Sequence, residues 1–394
     1  MPRVGIGTPL ALAVALVALL GARRAAAGLE WRWLLLSTWL ASAAWLFSLA
    51  LIDGPGGIWR VLEHRYEYLP TARTITDVPA ALAEFVDRIP YDHPQHWQVH
   101  TAGHPPGAVL FFVLLDRLGL GSGGAAGGIV ALIAATTAPG VLTTLKALGA
   151  EAIGRRAAPL LVFGPAAIWM AVSGDALFGA VSAWGMALLA TAGSRRSVGL
   201  GAAAGMVLGC CVMFSYGLIL LGPLALVVLW RAGSWRPLIP AVLGAGAVVA
   251  AYGAFGFWWW EGLAALRGRY WAGVASNRPP EYWMWGNLAA LCFSAGPAVA
   301  VAIPDWWRVL RSRAPSKSNV GAHTVAWLVA ASWAAVVIAD FSQMSRAEVE
   351  RIWLPFVPWL LLATALLPDR WQRRLLALQV LFTLALAHLL WTDW

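Results

Sequence analysis

Apolar runs of membrane-spanning length recur along the whole chain and limit the folds open to it. Of the 394 residues, 60% are hydrophobic and only 12% are charged, whereas a soluble domain carries about 25% charged residues. Runs of roughly 17–23 residues are long enough to cross a hydrocarbon core about 30 Å thick. The short alternating segments typical of a membrane β-barrel are absent from the sequence. The sequence therefore predicts an all-α polytopic membrane protein, with residues 1–394 forming a single integral membrane domain.

The apolar runs predict about twelve transmembrane helices. Their approximate ranges are 4–20, 32–52, 125–147, 157–173, 176–192, 199–213, 215–230, 237–257, 286–303, 323–340, 350–367 and 373–391. The first could instead be a cleaved signal peptide, but a second apolar run follows it directly, which favours a span. The run over 105–118 begins with two prolines and is only about 14 residues long, so we interpret it as a partial or re-entrant helix.

Basic residues concentrate in short loops between the apolar runs, which is typical of cytoplasmic loops. They are Arg23, Arg24, Arg155, Arg156, Arg195, Arg196, Arg231, Arg236, Arg308, Arg311, Arg313, Lys317, Arg370 and Arg374. The net charge of +9 is thus a topology signal and does not indicate a nucleic-acid partner. If these loops lie on the cytoplasmic side of the plasma membrane, four polar segments are predicted on the extracytoplasmic face. They are the loops 53–104 and 258–285, the turn at 173–175 and the stretch 342–351.

The large loop 53–104 is the most polar part of the chain and, with His104, holds five of its seven histidines. Apolar residues at helical spacing predict amphipathic helices near 58–69 and 78–89, lying on the membrane surface. Glu63 and Glu67 are four residues apart, so they would share one helix face. A carboxylate at a membrane surface can act as a general base toward a hydroxyl group. A solvated charged face is the alternative interpretation.

Two further polar residues lie where apolar runs begin. His104 precedes Pro105 and Pro106, which impose a rigid turn before the next helix. His104 could bind a phosphate or orient a substrate, or it could be incidental to the turn. Asp175 follows Ser173 and Gly174 at the start of a span, where the helix dipole favours a carboxylate. Asp175 fits a helix N-terminus and a functional site equally well.

The last two polar segments carry arginines among apolar and aromatic residues. Arg346, Glu350 and Arg351 lie at the start of a span, where an arginine is costly unless it is paired or functional. The planar guanidinium suits phosphate binding, and a salt-bridged helix end is the alternative. The loop 258–285 combines Arg278 with many aromatic side chains, which could stack on a sugar or form an interfacial belt.

Metal binding has little support in the sequence. His93, His96 and His100 have spacings that would suit one helix face, but proline at position 94 and the loop composition argue against a helix there. The three cysteines lie in apolar runs without the spacing of a zinc site.

These segments, in this order, resemble the GT-C superfamily of membrane glycosyltransferases, which includes protein O-mannosyltransferases and aminoarabinose lipid A transferases. Three motifs carry most of the resemblance. An acidic motif before Arg-Tyr corresponds to Leu62-Glu63-His64-Arg65-Tyr66, a basic residue before two prolines corresponds to His104-Pro105-Pro106, and a turn corresponds to Ser173-Gly174-Asp175. The segment from Glu348 to Trp353 is similar to an acidic and arginine-bearing element of related transferases. The chain departs from the pattern at Leu62, where the family motif has its first acidic residue.

The resemblance implies transfer of a sugar from a polyprenyl-phosphate carrier to a glycan, lipid or protein acceptor at the extracytoplasmic face. Glu63, Glu67 or Asp53 would be the base. Arg346 or Arg351, with His104, would steady the departing phosphate. The complete set of candidate residues is Glu63, Glu67 and Asp175 as catalytic groups, and Arg65, Tyr66, His104, Arg278, Arg346, Glu350 and Arg351 as substrate-binding groups.

The resemblance also sets a geometric expectation and leaves other functions open. Glu63 or Glu67 should line one outward-opening cavity with His104, Asp175 and Arg351. Some members of the superfamily use a divalent metal, so Mg²⁺ or Mn²⁺ is a possible cofactor. A transporter or lipid flippase, and a non-catalytic scaffold for envelope assembly, are the alternative functions.

Overall fold

The computed structural model describes residues 2–312 and 319–391, so Arg313 and Lys317 lie outside the described residues. Helices and turns make up these two ranges, which contain no strand, and the predicted all-α class is confirmed. Five helices are long and apolar enough to cross a membrane, or seven if each of two bent helix pairs forms one span. The protein is therefore a polytopic membrane protein, but the predicted count of about twelve spans is not confirmed.

The helices fall into four groups. The five long apolar helices are Gly7–Gly28, Trp31–Asp53, Gly123–Ala147, Gly174–Arg195 and Val320–Phe341. The bent pairs are Leu238–Ala254 with Trp259–Ala272, at 72°, and Pro280–Ala295 with Pro297–Arg311, at 99°. Shorter apolar helices cover Val198–Phe214, Tyr216–Arg231 and Val357–Leu366. The remaining helices are Pro55–Ile58, Tyr68–Ala72, Val78–Ala83, Val99–Gly103, Gly107–Arg117, Glu151–Val162, Ala167–Met170, Val274–Asn277, Val349–Ile352 and Asp369–Leu389.

Proline and glycine interrupt several of the predicted spans. The predicted span 286–303 bends at Gly296, whose φ of 76° is followed by a proline that begins the next helix. The predicted span 350–367 is divided between Val349–Ile352 and Val357–Leu366, with prolines at positions 355 and 358. Since proline lacks a backbone donor and clashes with the preceding turn, it favours a bend or a break at these two places.

Basic residues gather at one end of the helical bundle. Arg155 donates to the carbonyl oxygens of Ala26 and Leu29, at 3.0 and 2.8 Å, near the end of the first long helix. Arg231 contacts Thr324 at the start of another long helix. Gly321, at the start of that long helix, lies against Ala150, which precedes the helix of Arg155. These contacts place loops with basic residues on a common side, as the sequence predicts, and we call this side the basic end.

The four polar segments meet at the opposite side, which we call the loop end. Arg269 of the segment 258–285 donates to the carbonyl oxygens of Ile89 and Trp97 in the loop 53–104, at 2.6 and 2.9 Å. Arg351 of the segment 342–351 contacts Asp175 of the turn that begins Gly174–Arg195. Segments far apart in the sequence thus form one polar region.

The predicted amphipathic helix near 58–69 is wrong, because turns occupy most of this stretch and a regular helix begins only at Tyr68. Glu63 and Glu67 have partners in different parts of the molecule, which a single helix face would not allow. The second predicted helix, near 78–89, forms only over Val78–Ala83, and turns follow it. Asp77 accepts a hydrogen bond from the backbone of Ala80 at 3.0 Å at its start. Gly107–Arg117 has 11 residues. At 1.5 Å per residue it is about 16 Å long, consistent with the predicted partial helix.

Candidate functional site

A group of ionisable residues lies at the loop end, and we call it the charge cluster. All of its members are buried except Glu348, which is partly exposed. Its members are Glu67, His100, Asp175, Glu348 and Arg351. A guanidinium nitrogen of Arg351 lies 2.6 Å from Oδ2 of Asp175, and a second one lies 2.9 Å from Oε2 of Glu348. Nδ1 of His100 lies 2.9 Å from Oε1 of Glu67. The cluster draws on three of the four polar segments: 53–104, 173–175 and 342–351.

The start of the helix Gly174–Arg195 positions Asp175. The hydroxyl of Ser173 accepts a hydrogen bond from the backbone of Ala176 at 3.2 Å and donates to the carbonyl of Trp169 at 2.8 Å. This N-cap fixes the first turn, in which a carboxylate is stabilised by the helix dipole. A Cβ at Gly174 would lie 2.7 Å from the ring of Tyr68, so glycine permits the close approach of Tyr68 to this turn.

A left-handed stretch of backbone positions Arg351. Ala347 and Glu348 have φ values of 77° and 61°, which are unfavourable for residues other than glycine and cost about 1–3 kcal/mol each. The short helix Val349–Ile352 follows directly, and it directs Arg351 toward Asp175 while Glu348 contacts the same guanidinium. Strain of this kind persists only where the surrounding contacts enforce it, and the ion pair with Asp175 is one such contact.

The loop 53–104 contributes Glu67 and His100 through two short helices. Glu67 immediately precedes Tyr68–Ala72, and His100 lies in Val99–Gly103. The backbone N–H of His100 donates to the carbonyl of Tyr66 at 3.2 Å, which holds the two helices together. Glu67 is only 1% exposed. Its Oε2 atom has no hydrogen-bond partner among the described residues, so this carboxylate oxygen can accept a proton or a hydrogen bond from another molecule.

Aromatic rings form the wall beside the charge cluster. The ring of Tyr68 lies 5.6 Å from the ring of His104 and stacks on Phe112, also at 5.6 Å between centroids. Nδ1 of His104 lies 2.9 Å from the carbonyl oxygen of His100, so Nδ1 carries the proton and Nε2 is the acceptor in the neutral ring. Burial lowers the pKa of His104, although Asp175 opposes this shift. His104 is therefore neutral at physiological pH.

Coulombic interactions tie these groups into one electrostatic unit. Burial alone would lower the pKa of Arg351, but the carboxylates of Asp175, Glu67 and Glu348 raise it overall. Burial also raises the pKa of Tyr68, and Asp175 and Glu67 add to this shift. Arg351 therefore remains a cation and Tyr68 a neutral phenol at all physiological pH values.

Four of the predicted residues come together as expected, and the three charged ones among them are almost completely buried. Glu67, His104, Asp175 and Arg351 surround Tyr68, and the three charged members are 1%, 3% and 4% exposed. His104 itself is partly exposed, whereas the charged groups that should line an outward-opening cavity are buried. A substrate would reach them only after part of the loop end moves.

Glu63, in contrast, has a structural role elsewhere. Both of its carboxylate oxygens accept hydrogen bonds from Arg73, at 2.8 and 2.7 Å. One of them also accepts from the backbone of Gly123 at 2.9 Å, at the start of Gly123–Ala147. The hydrogen bond with Arg73 lowers the pKa of Glu63. Asp53, the third candidate base, forms an ion pair with Arg3.

The remaining predicted residues lie around the cluster or at the surface. Arg65 is exposed and donates to the hydroxyl of Tyr66 at 2.6 Å. Arg346 donates to the carbonyl oxygens of Ala275 and Arg278, and Arg278 donates to the carbonyl of Arg346. These two arginines join the segments 342–351 and 258–285, and Arg278 also lies 3.9 Å from Glu348. Burial raises the pKa of the half-buried Glu350.

Two members of the site have no assigned role in the sequence reasoning. The sequence suggests His100 only as a possible metal ligand, and no pattern in it points to Tyr68. His100 lies four residues before His104, but its contact with Glu67 depends on how two short helices pack. That packing has no signature in the local sequence.

The described residues do not offer a fitting site for Mg²⁺ or Mn²⁺. No group of three or more histidine, cysteine, aspartate or glutamate side chains within 2–312 and 319–391 is arranged to hold a metal ion. His93 and His96 lie in a turn, where Nδ1 of His96 contacts the carbonyl of His93, whereas His100 faces Glu67. Asp175 and Glu348 are both bound to Arg351. We derive no chemical step through a metal.

Comparison with known proteins gave no match, either to a family model, to a curated protein or to a solved structure.

Proposed function

We propose that the protein is a membrane glycosyltransferase that moves a sugar from a polyprenyl-phosphate carrier to a hydroxyl acceptor at the extracytoplasmic face of the plasma membrane. The observation that carries the proposal is the buried carboxylate of Glu67. One of its oxygens lies 2.9 Å from His100 and the other is without a hydrogen-bond partner in the described structure. The guanidinium of Arg351 belongs to the same cluster, and the imidazole of His104 lies beside it.

The chemistry requires a base for the acceptor and a counter-charge for the leaving group. Glu67 Oε2 takes the proton of the acceptor hydroxyl as the oxygen forms a bond to the anomeric carbon. The bond between that carbon and the phosphate oxygen breaks, and the electron pair leaves with the lipid phosphate. Arg351 offers the positive charge that stabilises the developing anion. His100 holds the Glu67 carboxylate in position.

The closed arrangement suits a reaction that must exclude water. A polyprenyl-phosphate sugar would otherwise be hydrolysed, and a dry site strengthens the interaction of Arg351 with a phosphate. The strained residues Ala347 and Glu348 lie between the helix Val320–Phe341 and Arg351. Movement of this stretch would release Glu348 from Arg351 and admit the phosphate.

A transporter or flippase is the second candidate, because two apolar helix pairs are bent by 72° and 99° and broken helices are typical of transporters. The sharper bend, at Gly296, is braced by Gln379, whose amide donates to the carbonyl of Ala295 at 2.9 Å. This partner is neutral. The charged residues of the charge cluster lie at the loop end, and that location favours chemistry at a membrane surface over transport.

The test compares two glutamates that lie four residues apart. Purified protein in lipid is incubated with a panel of polyprenyl-phosphate sugars, and transfer or hydrolysis is measured. Glu67→Gln should reduce the rate by about 10²–10⁴-fold, the usual contribution of a general base. Glu63→Gln is the matched control, and it should stay within a few-fold of the wild type when equal amounts of folded protein are compared.

Three results would contradict the proposal. One is a Glu67→Gln variant that retains full activity, and another is a Glu63→Gln variant that loses as much activity as Glu67→Gln while remaining folded. The third is folded wild-type protein that turns over no donor in the panel but moves lipid between leaflets, which would establish the transporter alternative.

A further inference from the structure

An apolar groove of about 470 Å³ shares no residue with the charge cluster. Three helices line it: Gly7–Gly28, Trp31–Asp53 and Glu151–Val162. Its volume is within the range of about 300–1,000 Å³ that is typical of small-molecule sites. The first helix contributes lining residues from Ala13 to Ala26, a length of about 20 Å at 1.5 Å per residue. The groove is therefore elongated and follows the helix direction.

The walls of the groove are almost entirely apolar. Small side chains such as Ala18, Ala22 and Ala158 form most of them. The two hydroxyl groups of the lining, on Ser37 and Thr38, donate to carbonyl oxygens of their own helix at 3.0 and 2.9 Å. Neither hydroxyl needs a partner from a ligand. The groove accordingly suits a hydrocarbon chain, and it offers nothing to a sugar or another polar molecule.

The surroundings of the groove identify the source of such a chain. The two longest lining helices are both apolar and long enough to span a membrane. In the first of them, Gly7–Gly28, only 22% of the most apolar 18-residue stretch is buried inside the protein. A groove on the side of this helix is therefore in contact with lipid, and the acyl chains of the bilayer supply the hydrocarbon that can fill it.

Positive charge lies at the basic end of the groove. Arg23 and Arg24 follow the lining residues Gly21 and Ala22, and both are exposed. Neither forms an ion pair with a carboxylate of the described residues. Arg155 is nearby, but its guanidinium is already bound to Glu151 and to backbone carbonyls. Basic residues at the cytoplasmic side of grooves between transmembrane helices attract anionic lipid headgroups.

We propose that this groove binds one anionic phospholipid of the leaflet at the basic end. An acyl chain lies along Ala13 to Ala26, and the headgroup phosphate contacts Arg23 and Arg24. The lipid completes the packing of the first two spans. This proposal does not depend on the glycosyltransferase assignment, because none of its residues belongs to the charge cluster.

The test uses a glycine that opens directly onto the groove. A Cβ at Gly21 would meet no atom within 4 Å, so Gly21→Leu can place its side chain in the groove without a clash. Gly28→Leu is the matched control, since a Cβ there also meets no atom within 4 Å and Gly28 does not line the groove. The double variant Arg23→Gln, Arg24→Gln removes the charge and leaves the groove unchanged.

Native mass spectrometry of the full chain measures retention of phosphatidylglycerol and of phosphatidylcholine with the same acyl chains. The wild type and Gly28→Leu should retain phosphatidylglycerol with a preference on the order of tenfold. Gly21→Leu should retain at least about fivefold less phosphatidylglycerol than the wild type. The double arginine variant should bind both lipids equally.

Several outcomes would overturn the proposal. These are equal retention of the two lipids by the wild type, and retention by Gly21→Leu that matches Gly28→Leu. A wild-type dimer that Gly21→Leu dissociates would assign the groove to a second copy of the chain. If Gly21→Leu fails to fold, the double arginine variant still decides, because an unchanged lipid preference in that variant contradicts the headgroup site.

Discussion

Arg351 and Asp175 are 176 residues apart in the sequence, yet a guanidinium nitrogen lies 2.6 Å from the carboxylate oxygen. Both side chains are at most 5% exposed. Two buried charges are costly to remove from water, and only close pairing compensates that cost. The contact therefore fixes the segment 342–351 against the helix Gly174–Arg195, and it holds the loop end closed.

Loss of this ion pair should destabilise the protein strongly. Arg351→Gln leaves Asp175 buried without its cation, and removing one partner of a buried pair typically costs about 3–5 kcal/mol. Arg308→Gln is the control, because Arg308 pairs with Asp305 in the same helix while its side chain is 73% exposed. An exposed pair contributes about 0–1 kcal/mol. Thermal unfolding in detergent measures both, and equal melting temperatures for the two variants would refute the structural role of Arg351.

Glu63 predicts a pH dependence of stability. The pKa of Glu63 is lowered in the folded state, chiefly by its hydrogen bond with Arg73. The carboxylate thus adds stability above its unfolded pKa, and this contribution is lost as the pH falls through the folded pKa. The melting temperature of the wild type should exceed that of Glu63→Gln at neutral pH, and the difference should shrink toward about pH 3.

Arg73→Gln checks that the effect belongs to the pair. This variant removes the same hydrogen bonds from the other side, and it also removes those from Arg73 to the carbonyl of Gly121. The part of its stability deficit that comes from Glu63 should therefore shrink on acidification, while the part from Gly121 should remain. A deficit of Glu63→Gln that persists unchanged at low pH would show that the ion pair is not its source.

The sequence predicts the helical class and the two ends of the bundle because both depend on local properties. An apolar run forms a helix in lipid whatever its neighbours are. Arg23 and Arg155 indicate the basic end of the bundle through their charge alone. The number of spans is harder to predict from the sequence. Whether prolines or Gly296 break a run depends on whether neighbouring helices, such as the one with Gln379, satisfy the freed backbone groups.

The charge cluster is only partly visible in the sequence, because residue spacing does not determine tertiary contacts. The spacing of Glu63 and Glu67 suggests one shared helix face. In the structure Glu63 binds Arg73 and Gly123, whereas Glu67 is buried beside His100. The turns between the two glutamates separate them, and no local pattern distinguishes the partly exposed Glu63 from the buried Glu67.

Close helix packing makes one glycine critical and a neighbour on the same helix dispensable. A Cβ at Gly205 would lie 2.0 Å from the carbonyl oxygen of Ala241, whereas a Cβ at Gly199 meets no atom within 4 Å. Gly205→Ala should therefore separate Val198–Phe214 from Leu238–Ala254, at a cost of about 1–3 kcal/mol. Gly199→Ala should be neutral or stabilising by up to about 1 kcal/mol, since alanine favours a helix.

Thermal unfolding of the two alanine variants in the same detergent checks this prediction. A Gly205→Ala variant that is as stable as Gly199→Ala would mean that the two helices do not approach each other as closely as the structure has them.

The sidedness of the loop end decides where any chemistry takes place, and cysteine labelling tests it. In a background without Cys210, Cys211 and Cys292, single cysteines are introduced at Asp92 in the loop 53–104 and at Arg195 at the basic end, both of which are exposed. The basic loops favour the cytoplasm. Asp92→Cys should therefore react with a membrane-impermeant maleimide on intact cells, and Arg195→Cys should react only after permeabilisation. Labelling of both positions from one side would contradict the separation of the two ends. The reverse pattern would place the charge cluster at the cytoplasmic face, where the proposed extracytoplasmic transfer could not occur.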